Sequence, residues 1–546
     1  MREKIVLSQW DFSIEKLHYR AKVQVPHTWN VCDETQNYRG RADYSTTVFI
    51  DEKMKDKTVT LCFGAVYHTA YVTVNGAFIG QHSGSGYTPF SFDITKAVRF
   101  GAENTIEVTA DNRPCRNMLP YLKNFDWADD GGLIREVSLL FADHDSIKRM
   151  QVSAQITDIS GDLCSGYLGL DIAFFDGHKN DQVKLSVSDY KTGEVVLSCD
   201  RMIRSNRAEI HFTDLKLWNT DSPNLYHITA ETSDDSFTQR IGLRKIKING
   251  NRIFLNNKAV YLTGCEWMPG SHPDYGMAEP AEHSIMRLKQ LKDSGCIFTR
   301  FHWQQDSSIY DWCDENGLLV QEEIPYWGSP KKAAKKQLEI AKQHADEMLE
   351  AHFNHPSIIF WGVGNELGGL FESTKKYVRE MVAYFKSKDQ TRCVNYVSNT
   401  LGFVKGKKDE ATLYGDVAMW NEYLGLWHPC NDIPGKILEV NALCKDKPLV
   451  ITEFGLCEPH FSGGDERRTR ILVDNVDFFN DADNIQGYVW FSLNDYRTHV
   501  GEQGEGRLKQ RVHGSTDLYG NKKPSYDVLC EINKKQTERF RGVYGD

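Results

Sequence analysis

The stretch Ile358-Ile359-Phe360-Trp361-Gly362-Val363-Gly364-Asn365-Glu366 decides the fold of this chain. It is a short apolar run, rich in β-branched and aromatic residues, that ends on a glutamate. A second run of the same kind, Leu449-Val450-Ile451-Thr452-Glu453-Phe454-Gly455, carries a glutamate at the same point. Continuous apolar runs of this length are typical of parallel strands that are buried on both faces. We therefore expect both glutamates at the carboxyl-terminal face of an α/β barrel, where barrel enzymes hold their reactive groups.

Two glutamates at the ends of barrel strands place two carboxyl groups across one cavity. Such a pair cleaves glycosidic bonds when one group stays protonated and the other is ionised, with ~5–5.5 Å between them in retaining enzymes. For either glutamate alone, the alternative is a structural ion pair at a strand end. The matching contexts of Glu366 and Glu453 favour the catalytic interpretation, and they leave open which of the two is the acid.

The sequence around these two runs predicts a complete (β/α)8 TIM barrel. Helical patterns alternate with short apolar runs over ~290 residues, the size expected of this fold. One helix is marked by Leu338, Ala341 and Ala345 at three- and four-residue spacing, and Pro356 forbids its continuation. The eight candidate strands are Val260–Thr263, Ile297–Arg300, Leu318–Glu322, Ile358–Trp361, Val394–Val397, Val417–Asn421, Leu449–Glu453 and Gly487–Phe491.

Two regions with β-strand patterns precede the barrel. Residues 1–143 contain alternating segments such as Ala70–Val74 and Thr105–Thr109, with turn signals such as Asn75-Gly76, which predicts a β-sandwich with one wet face. Residues 144–245 contain shorter alternating segments and no long helical pattern, which predicts an immunoglobulin-like β-sandwich. The barrel then takes residues 246–546, so we expect three domains.

The composition excludes several classes of protein. The chain has 546 residues, of which 40% are hydrophobic, so it can bury large cores and is not a disordered protein. Its net charge of −10 argues against a nucleic-acid partner, and no stretch approaches the ~20 apolar residues that a membrane span needs. The N-terminus lacks the apolar region of a signal peptide, so a cytoplasmic location is expected. The sequence is compatible with a homo-oligomer but does not determine the oligomeric state.

Cysteine and histidine placement gives no indication of a metal site. The 13 cysteines are dispersed without a Cys-x-x-Cys pair, which favours reduced thiols over a disulfide framework or a zinc site. His352 and His355 lie at a helix end beside Pro356, and two histidines are fewer ligands than a metal site requires. We therefore predict no metal and no cofactor.

Polar side chains at two other strand ends are candidates to support Glu453. Arg300 ends the second predicted strand, where a guanidinium can pair with a carboxylate and keep it ionised. Asn421 and Tyr423 close the sixth strand, next to the strand of Glu453, and a tyrosine hydroxyl there can donate to the carboxylate and orient it. A lone arginine is more often part of a rim ion pair, so the argument depends on the co-occurrence of these residues.

Two further residues are candidates to contact a sugar directly. Asn365 immediately precedes Glu366, and its amide can hydrogen-bond a sugar hydroxyl beside the scissile bond. Trp490 ends the eighth predicted strand, where an indole offers a flat apolar platform under a sugar ring. The alternative for Trp490 alone is an ordinary core aromatic.

Several motifs spread over nearly the whole chain are shared with a known family. They are His355-Pro356-Ser357-Ile358-Ile359 leading to Gly364-Asn365-Glu366, then Thr452-Glu453-Phe454-Gly455, and, before the barrel, Gly131-Gly132-Leu133-Ile134-Arg135 and Gly242-Leu243-Arg244. Together they resemble glycoside hydrolase family 2, which contains β-galactosidases, β-glucuronidases and β-mannosidases. The resemblance implies a sugar-binding-type jelly-roll β-sandwich, an immunoglobulin-like β-sandwich and a catalytic TIM barrel.

The resemblance also assigns roles that the residues alone left open. It implies that Glu366 is the acid/base and Glu453 the nucleophile, and that Asn421, Tyr423 and Trp490 belong to the substrate site. A carbohydrate or glycoconjugate is then the expected partner, and the reaction needs no cofactor.

The chain departs from the family pattern where the family recognises its sugar. The segment after the first barrel strand contains Cys265-Glu266, where relatives carry His-Glu, so Glu266 is carried over as a substrate contact without its usual neighbour. The segment Arg300-Phe301-His302-Trp303 is one residue shorter than the family motif, and His302 is carried over on that basis. These departures concern the sugar and leave the glutamate pair untouched.

Glucuronidases hold the uronate carboxylate with an Asn-x-Lys pair, and the corresponding place here is Arg511-Val512-His513, which speaks against an ordinary glucuronidase. The segment Arg507-Leu508-Lys509-Gln510-Arg511-Val512-His513 is nevertheless strongly basic. Its charges, Arg511 above all, can bind an acidic sugar through charge-assisted hydrogen bonds. The alternative is a solvated loop, which is the usual position of a charge run.

The sequence therefore predicts a retaining exo-β-glycosidase. A β-galactosidase is the first expectation for the sugar, on family frequency alone, and a β-uronidase that acts on glucuronides or galacturonides is the alternative. A catalytically silent carbohydrate-binding protein with the same fold is the hypothesis from a different class.

Overall fold

Alternating side chains make the N-terminal region a sandwich of sheets. In the strand Arg41–Ile50, Ala42 and Tyr44 are buried whereas Arg41 and Asp43 are exposed, so each strand turns one face to the core. The computed structural model describes residues 2–175, 182–232, 235–328, 335–406, 409–456, 464–501 and 503–544. In the N-terminal region the strands are β1 Glu3–Val6, β2 Gln9–Ile14, β3 Tyr19–Gln24, β4 Arg41–Ile50, β5 Lys57–Phe63, β6 Thr69–Val74, β7 Ala77–His82, β8 Phe90–Asp93, β9 Ala102–Asp111 and β10 Val137–Asp143.

These strands form the sheets β1-β10-β5-β8 and β3-β2-β4-β9-β6-β7, which pack face to face. Their common core includes Trp10, Trp29 and Leu61. The segment 112–136 joins β9 to β10 and leaves the sandwich to contact the barrel.

The second region is a smaller sandwich with its own core. Its strands are β11 Ile147–Ser160, β12 Leu163–Phe174, β13 Gln182–Asp189, β14 Val195–Met202, β15 Arg207–Lys216, β16 Tyr226–Glu231 and β17 Ser236–Ile241. They form the sheets β11-β12-β15 and β14-β13-β16-β17. A short sheet of β18 Ile246–Asn249, β19 Arg252–Leu255 and β20 Lys258–Ala259 then leads into the barrel. The two predicted sandwiches are confirmed.

The predicted TIM barrel is confirmed, with eight parallel strands closed into a ring. The strands are β21 Leu262–Cys265, β22 Phe298–Phe301, β23 Leu319–Glu323, β24 Ile358–Asn365, β25 Cys393–Ser398, β26 Ala418–Asn421, β27 Leu449–Phe454 and β28 Ile485–Trp490. A short ribbon of β29 Tyr496–Arg497 and β30 Gln510–Arg511 follows them. The helices described are α1 Ala281–Asp293, α2 Ser307–Asn316, α3 Lys335–His352, α4 Glu372–Lys388, α5 Ile433–Leu443, α6 Gly464–Asn480 and α7 Pro524–Tyr544.

The barrel has the two hydrophobic layers that this topology requires. Its interior is filled by side chains such as Phe360, Met419 and Val489, and the layer between strands and helices by side chains such as Trp361 and Tyr488. No helix among the described residues is long and apolar enough to span a membrane.

Arg244 fixes the second sandwich to the base of the barrel. Its buried guanidinium donates to the carbonyl oxygens of Pro356 at 3.1 Å, Ile358 at 2.8 Å and Thr391 at 3.0 Å. Burial lowers the pKa of Arg244 to about 9, and the three carbonyl acceptors replace the water that the guanidinium loses. The motif Gly242-Leu243-Arg244 is therefore a structural joint.

The N-terminal sandwich is held against α3 by a neutral histidine. His344 lies fully buried between the two domains, with Nε2 at 3.0 Å from the carbonyl oxygen of Gly84. Beside it, Gln343 donates Nε2 to the carbonyl oxygen of Ser83 at 3.0 Å. Burial lowers the pKa of His344 from 6.5 to about 4, because a charged imidazole is poorly solvated there.

Acid should therefore weaken this interface. The pKa of His344 is about 4 when folded and 6.5 when unfolded, so its contribution is complete above pH 6.5 and is lost as the pH falls towards 4. The expected loss is on the order of 3 kcal/mol in the free energy of unfolding. Urea midpoints measured between pH 7 and pH 4 should fall less steeply for His344→Gln than for the wild type. Equal slopes for the two proteins would contradict this assignment.

Candidate active site

Glu366 is held in a strained backbone conformation immediately after β24. Its φ of 56° lies in the left-handed region, which costs a non-glycine residue on the order of 1–3 kcal/mol. The surrounding structure holds it there, because the Glu366 amide donates to the carbonyl oxygen of Val397 at 2.9 Å and the Leu367 amide to the Tyr396 hydroxyl at 2.8 Å. Gly364, at φ 147°, allows the strand to turn just before this point. Strain of this kind is characteristic of functional sites.

The carboxyl group of Glu366 has no cation within ion-pair distance among the described residues. It accepts one hydrogen bond, from Asn421 Nδ2 to Oε1 at 2.8 Å. Burial, and after it the negative charge of Glu453, raise the pKa of Glu366 from 4.5 to about 7. Glu366 is therefore mostly protonated below a pH of about 7 and can donate a proton there.

Glu453, at the end of β27, has the opposite environment. Arg300 donates Nη1 to Oε1 at 2.7 Å, and the Tyr423 hydroxyl donates to Oε2 at 3.0 Å. Each carboxylate oxygen thus accepts a hydrogen bond, one of them charge-assisted, which fixes the orientation of the group. The side chain remains 6% exposed towards the cavity.

Arg300 is the centre of a buried ionic cluster on the neighbouring strands. Besides Glu453, its guanidinium contacts Glu266 Oε2 at 3.1 Å and Glu323 Oε1 at 3.1 Å. His302 lies against the same group, with Nε2 at 3.1 Å from Glu266 and 3.5 Å from Glu453. Three carboxyl groups thus share one guanidinium and one imidazole.

Protonation balances the charge of this cluster. Burial raises the pKa of Glu266 to about 7. Burial opposes the charge of His302, yet the neighbouring carboxylate of Glu266 raises the pKa of this imidazole overall. Burial also acts on Glu323, but there Arg300 outweighs it and lowers the pKa. The cluster therefore holds protons at neutral pH and does not carry three full negative charges.

The two glutamates open into one cavity of about 230 Å³ at the carboxyl-terminal face of the barrel. Its wall combines polar and aromatic side chains, as in pockets that bind small polar ligands. The lining residues are Asp126, His302, Trp327, Glu366, Asn399, Tyr423, Trp427, His428, Glu453, Phe491, Tyr496, Arg511 and His513.

The N-terminal domain closes one side of this cavity, a feature that sequence reasoning missed. Asp126, in the segment between β9 and β10, accepts a hydrogen bond from the Tyr496 hydroxyl at 2.7 Å. The next residue, Trp127, stacks on His302 with ring centroids 5.5 Å apart. The available signal was the length of the segment, because loops longer than ~12–15 residues are uncommon and usually functional.

The basic segment after β28 divides into two parts. Arg507 pairs with Asp274 at 2.6 Å, and Lys509 donates to the carbonyl oxygen of His499 at 3.1 Å, so both are used outside the cavity. Arg511 lies in the cavity wall and donates Nη1 to Asp126 Oδ2 at 2.8 Å. The loop is thus partly structural, and it brings one cation to the site.

Trp490 does not reach the cavity, which corrects the prediction of a sugar platform at this position. Its indole is fully buried in the layer between strands and helices and donates Nε1 to Ser515 Oγ at 2.9 Å. Side chains alternate along β28, so Val489 points into the barrel interior and Trp490 points outward. Phe491 is the aromatic residue that lines the cavity, one position later than predicted.

Glu266 and Asn365 also stand behind the cavity wall. Glu266 is fully buried against Arg300 and His302 and is not among the lining residues, so the expected direct sugar contact is replaced by a contact with these two side chains. Asn365 is fully buried and accepts from Asn421 Nδ2 at 3.1 Å, while its own Nδ2 has no hydrogen-bond partner among the described residues. That amide is the unsatisfied donor nearest in sequence to Glu366.

The fold and the paired carboxyl groups define a glycoside hydrolase. Residues 246–502 match the family model described as glycosyl hydrolases family 2, TIM barrel domain. Residues 3–142 match the sugar binding domain of the same family, and residues 143–244 match a third family 2 model. The chain belongs to glycosyl hydrolase family 2.

Curated relatives carry two different activities in their names. A β-galactosidase of Thermoanaerobacterium thermosulfurigenes is 27% identical over 93% of this chain and 71% of its own length. A β-glucuronidase of Bacteroides fragilis is 28% identical over 78% of this chain and 64% of its own length.

Solved structures share the whole fold. A β-D-glucuronidase of Dictyoglomus thermophilum superposes with a TM-score of 0.87 at 23% identity, covering 98% of this chain and 97% of that one. A Bifidobacterium dentium β-glucuronidase, in complex with coumarin-3-O-glucuronide, gives 0.88 at 22% identity, covering 98% and 97%. At this identity the likeness shows the fold alone.

The coupling between the two glutamates can be measured directly. Glu453→Gln removes the negative charge beside Glu366 and should lower the pKa of Glu366 below about 7, without restoring 4.5, because burial is the larger cause of the shift. The measurement is a ¹³C titration of labelled glutamate carboxyl groups, with the resonance assigned by its loss in Glu366→Gln. Glu422→Gln, at a buried carboxyl immediately after β26, should leave the Glu366 titration unchanged. An unshifted Glu366 in Glu453→Gln would show that burial alone sets its pKa.

Proposed function

We propose that this chain is a retaining exo-β-glycosidase. The observation that carries the proposal is the opposite environment of two carboxyl groups in one cavity. Burial and a like charge keep Glu366 protonated, whereas Glu453 accepts hydrogen bonds from Arg300 and Tyr423. Pairs of carboxyl groups set apart in this way divide into an acid and a nucleophile.

The proposed reaction has two displacements. Glu453 attacks the anomeric carbon while Glu366 protonates the departing glycosidic oxygen, which leaves a glycosyl-enzyme ester and a free alcohol. The ester neutralises Glu453, so the pKa of Glu366 falls and its carboxylate can take a proton from water. The resulting hydroxide displaces Glu453 at the anomeric carbon and releases the sugar with its configuration retained.

The shape of the cavity supports removal of a terminal sugar. Its volume of about 230 Å³ suits a single sugar ring, and Asp126, which accepts a hydrogen bond from Tyr496, forms part of its wall. A cavity of this size holds one sugar, so we infer that one terminal residue enters at a time.

For the sugar, we infer a β-uronide. Arg511 brings a guanidinium into the cavity wall, where it donates Nη1 to Asp126, and a guanidinium binds a carboxylate through charge-assisted hydrogen bonds. Burial and the neighbouring Arg511 hold the pKa of His513 well below its usual range, so this imidazole is a neutral partner in the same wall. The β-glucuronidase names among the relatives agree with this inference.

A β-galactoside is the second candidate, and it also has an observation in its favour. The Asp126 carboxylate lies 2.8 Å from Arg511, so it offsets the guanidinium charge, and the pair as a whole suits neutral hydroxyl groups. The relative from Thermoanaerobacterium thermosulfurigenes carries the name β-galactosidase. The sequence-based preference for galactose rested on family frequency alone, and the position of Arg511 moves the balance towards uronides.

The basic limb of the pH profile should report Glu366. Because the acid must be protonated, kcat/KM for a glycoside with a poor leaving group should fall as the pH rises through about 7. Glu366→Gln should abolish this limb and lower kcat about 10²- to 10⁴-fold on the same substrate. Persistence of the limb in Glu366→Gln would assign it to another group.

Glu453→Ala should reduce turnover to the background rate. If the wild type is as inactive as this variant on every β-glycoside tested, the hypothesis of a catalytically silent binding protein is favoured.

Sugar specificity should respond to Arg511 and not to its basic neighbours. On 4-nitrophenyl β-glucuronide, Arg511→Gln should lose about 10- to 100-fold in kcat/KM, the effect of a hydrogen bond to a charged group. The loss on 4-nitrophenyl β-galactoside should be several-fold smaller. Arg507→Gln is the matched control, since Arg507 pairs with Asp274 outside the cavity. An equal loss on both sugars would contradict carboxylate recognition by Arg511.

A further inference from the structure

The cavity wall combines polar and aromatic side chains. Asp126, Arg511 and Tyr496 contribute polar groups from the N-terminal domain and from the segment after β28. Trp327 and Trp427 come from the loops after β23 and β26, and both line the same cavity as Glu366.

Trp327 lies on the side of the proton donor. Its backbone forms a parallel β-bridge with Asn365, the residue before Glu366. Because Glu366 delivers its proton to the departing oxygen, the group attached to that oxygen has to leave past this part of the wall. Trp327 therefore borders the path of the leaving group.

The aromatic surface continues from the cavity to the solvent. Trp427 lines the cavity and is 46% exposed. His428 follows it in the wall, and the ring of Phe403 packs edge-on against His428 at 4.8 Å while remaining 46% exposed itself. Two large aromatic side chains, half in water, thus stand at the mouth of a polar cavity.

The size of the cavity leaves the leaving group outside. About 230 Å³ suits one sugar ring, so the atoms beyond the glycosidic oxygen have to lie at the mouth, over Trp427 and Phe403. Half-exposed aromatic rings bury more apolar surface when a flat ring covers them. Stacked aromatic pairs also gain interaction free energy beyond that of the area they bury.

We propose that Trp427 and Phe403 form a platform for the leaving group, and that the preferred substrates are β-glycosides of aromatic or other planar apolar alcohols. The proposal deepens the function proposed above and rests on it. It makes Trp427 a specificity-determining residue for the leaving group, separate from Arg511, which we assign to the sugar.

The test compares two substrates with the same sugar, chosen as the one that the wild type hydrolyses best. One is the 4-methylumbelliferyl β-glycoside, and the other is the β-glycosyl fluoride, whose leaving group has no ring. Trp427→Ala should lower kcat/KM for the aryl glycoside about tenfold relative to the fluoride, in line with the loss of one aromatic stack. Phe403→Ala should act in the same direction, and Trp427→Phe should restore most of the rate. Phe78→Ala, a 66% exposed aromatic of the N-terminal sandwich, is the control and should change neither rate.

A binding measurement separates failure of the platform from failure of the proposed function. On the background of Glu453→Ala, titration calorimetry should show tighter binding of the aryl glycoside than of the methyl glycoside, and Trp427→Ala should remove most of that difference. Equal effects of Trp427→Ala on both ligands, or none on either, would overturn the platform. If the wild type hydrolyses neither substrate while the binding difference and its loss are both observed, the hydrolytic function fails and the platform stands.

Discussion

The contact between Arg300 and its carboxylates is the interaction on which the active-site face depends. The guanidinium joins Glu266, Glu323 and Glu453, which belong to three different strands or strand ends of the barrel. All four side chains are nearly inaccessible to water, so none can be left alone without a large desolvation cost. Removing one member of a buried ion pair typically costs ~3–5 kcal/mol, because the remaining charges lose their partner. The same cost keeps Glu453 in one orientation.

The division of roles that we propose for the two glutamates agrees with the position of this cation. Glu453 Oε1 lies 2.7 Å from Arg300 Nη1, whereas Glu366 accepts a hydrogen bond from the neutral amide of Asn421. Burial, and after it the negative charge of Glu453, raise the pKa of Glu366 to about 7, so the two carboxyl groups differ in burial as well as in the position of the cation. The left-handed backbone of Glu366 contributes as well, because it turns the carboxyl group into the cavity instead of along the strand. Strain at this residue is tolerated because the backbone amides of Glu366 and Leu367 both donate hydrogen bonds, one to the Val397 carbonyl oxygen and one to the Tyr396 hydroxyl.

Sequence patterns predicted the barrel and the glutamate pair because both depend on local order. The helix before Pro356 and the apolar runs carry their own periodicity, so α3 and the eight strands could be predicted within a few residues. Trp490 was placed wrongly because side chains alternate along a strand, so an error of one residue in the position of a strand end moves a side chain to the opposite face. Sequence patterns do not locate strand ends to within one residue. Asp126 could not be predicted from pattern, since its partner Arg511 lies 385 residues further along the chain.

In the proposed function, bond cleavage and sugar recognition have different structural bases. Glu366, Glu453 and Arg300 all come from barrel strands, so their geometry is set by the barrel alone. The wall around the sugar includes part of the N-terminal domain. Arg497 donates a hydrogen bond to Asp130 of that domain, and Trp127 of the same domain stacks on His302. Loops of this kind tolerate change because a rigid scaffold positions them. Family members that cleave different sugars can thus keep one catalytic pair, since changes in the 112–136 segment and after β28 alter the wall without disturbing the Arg300 cluster.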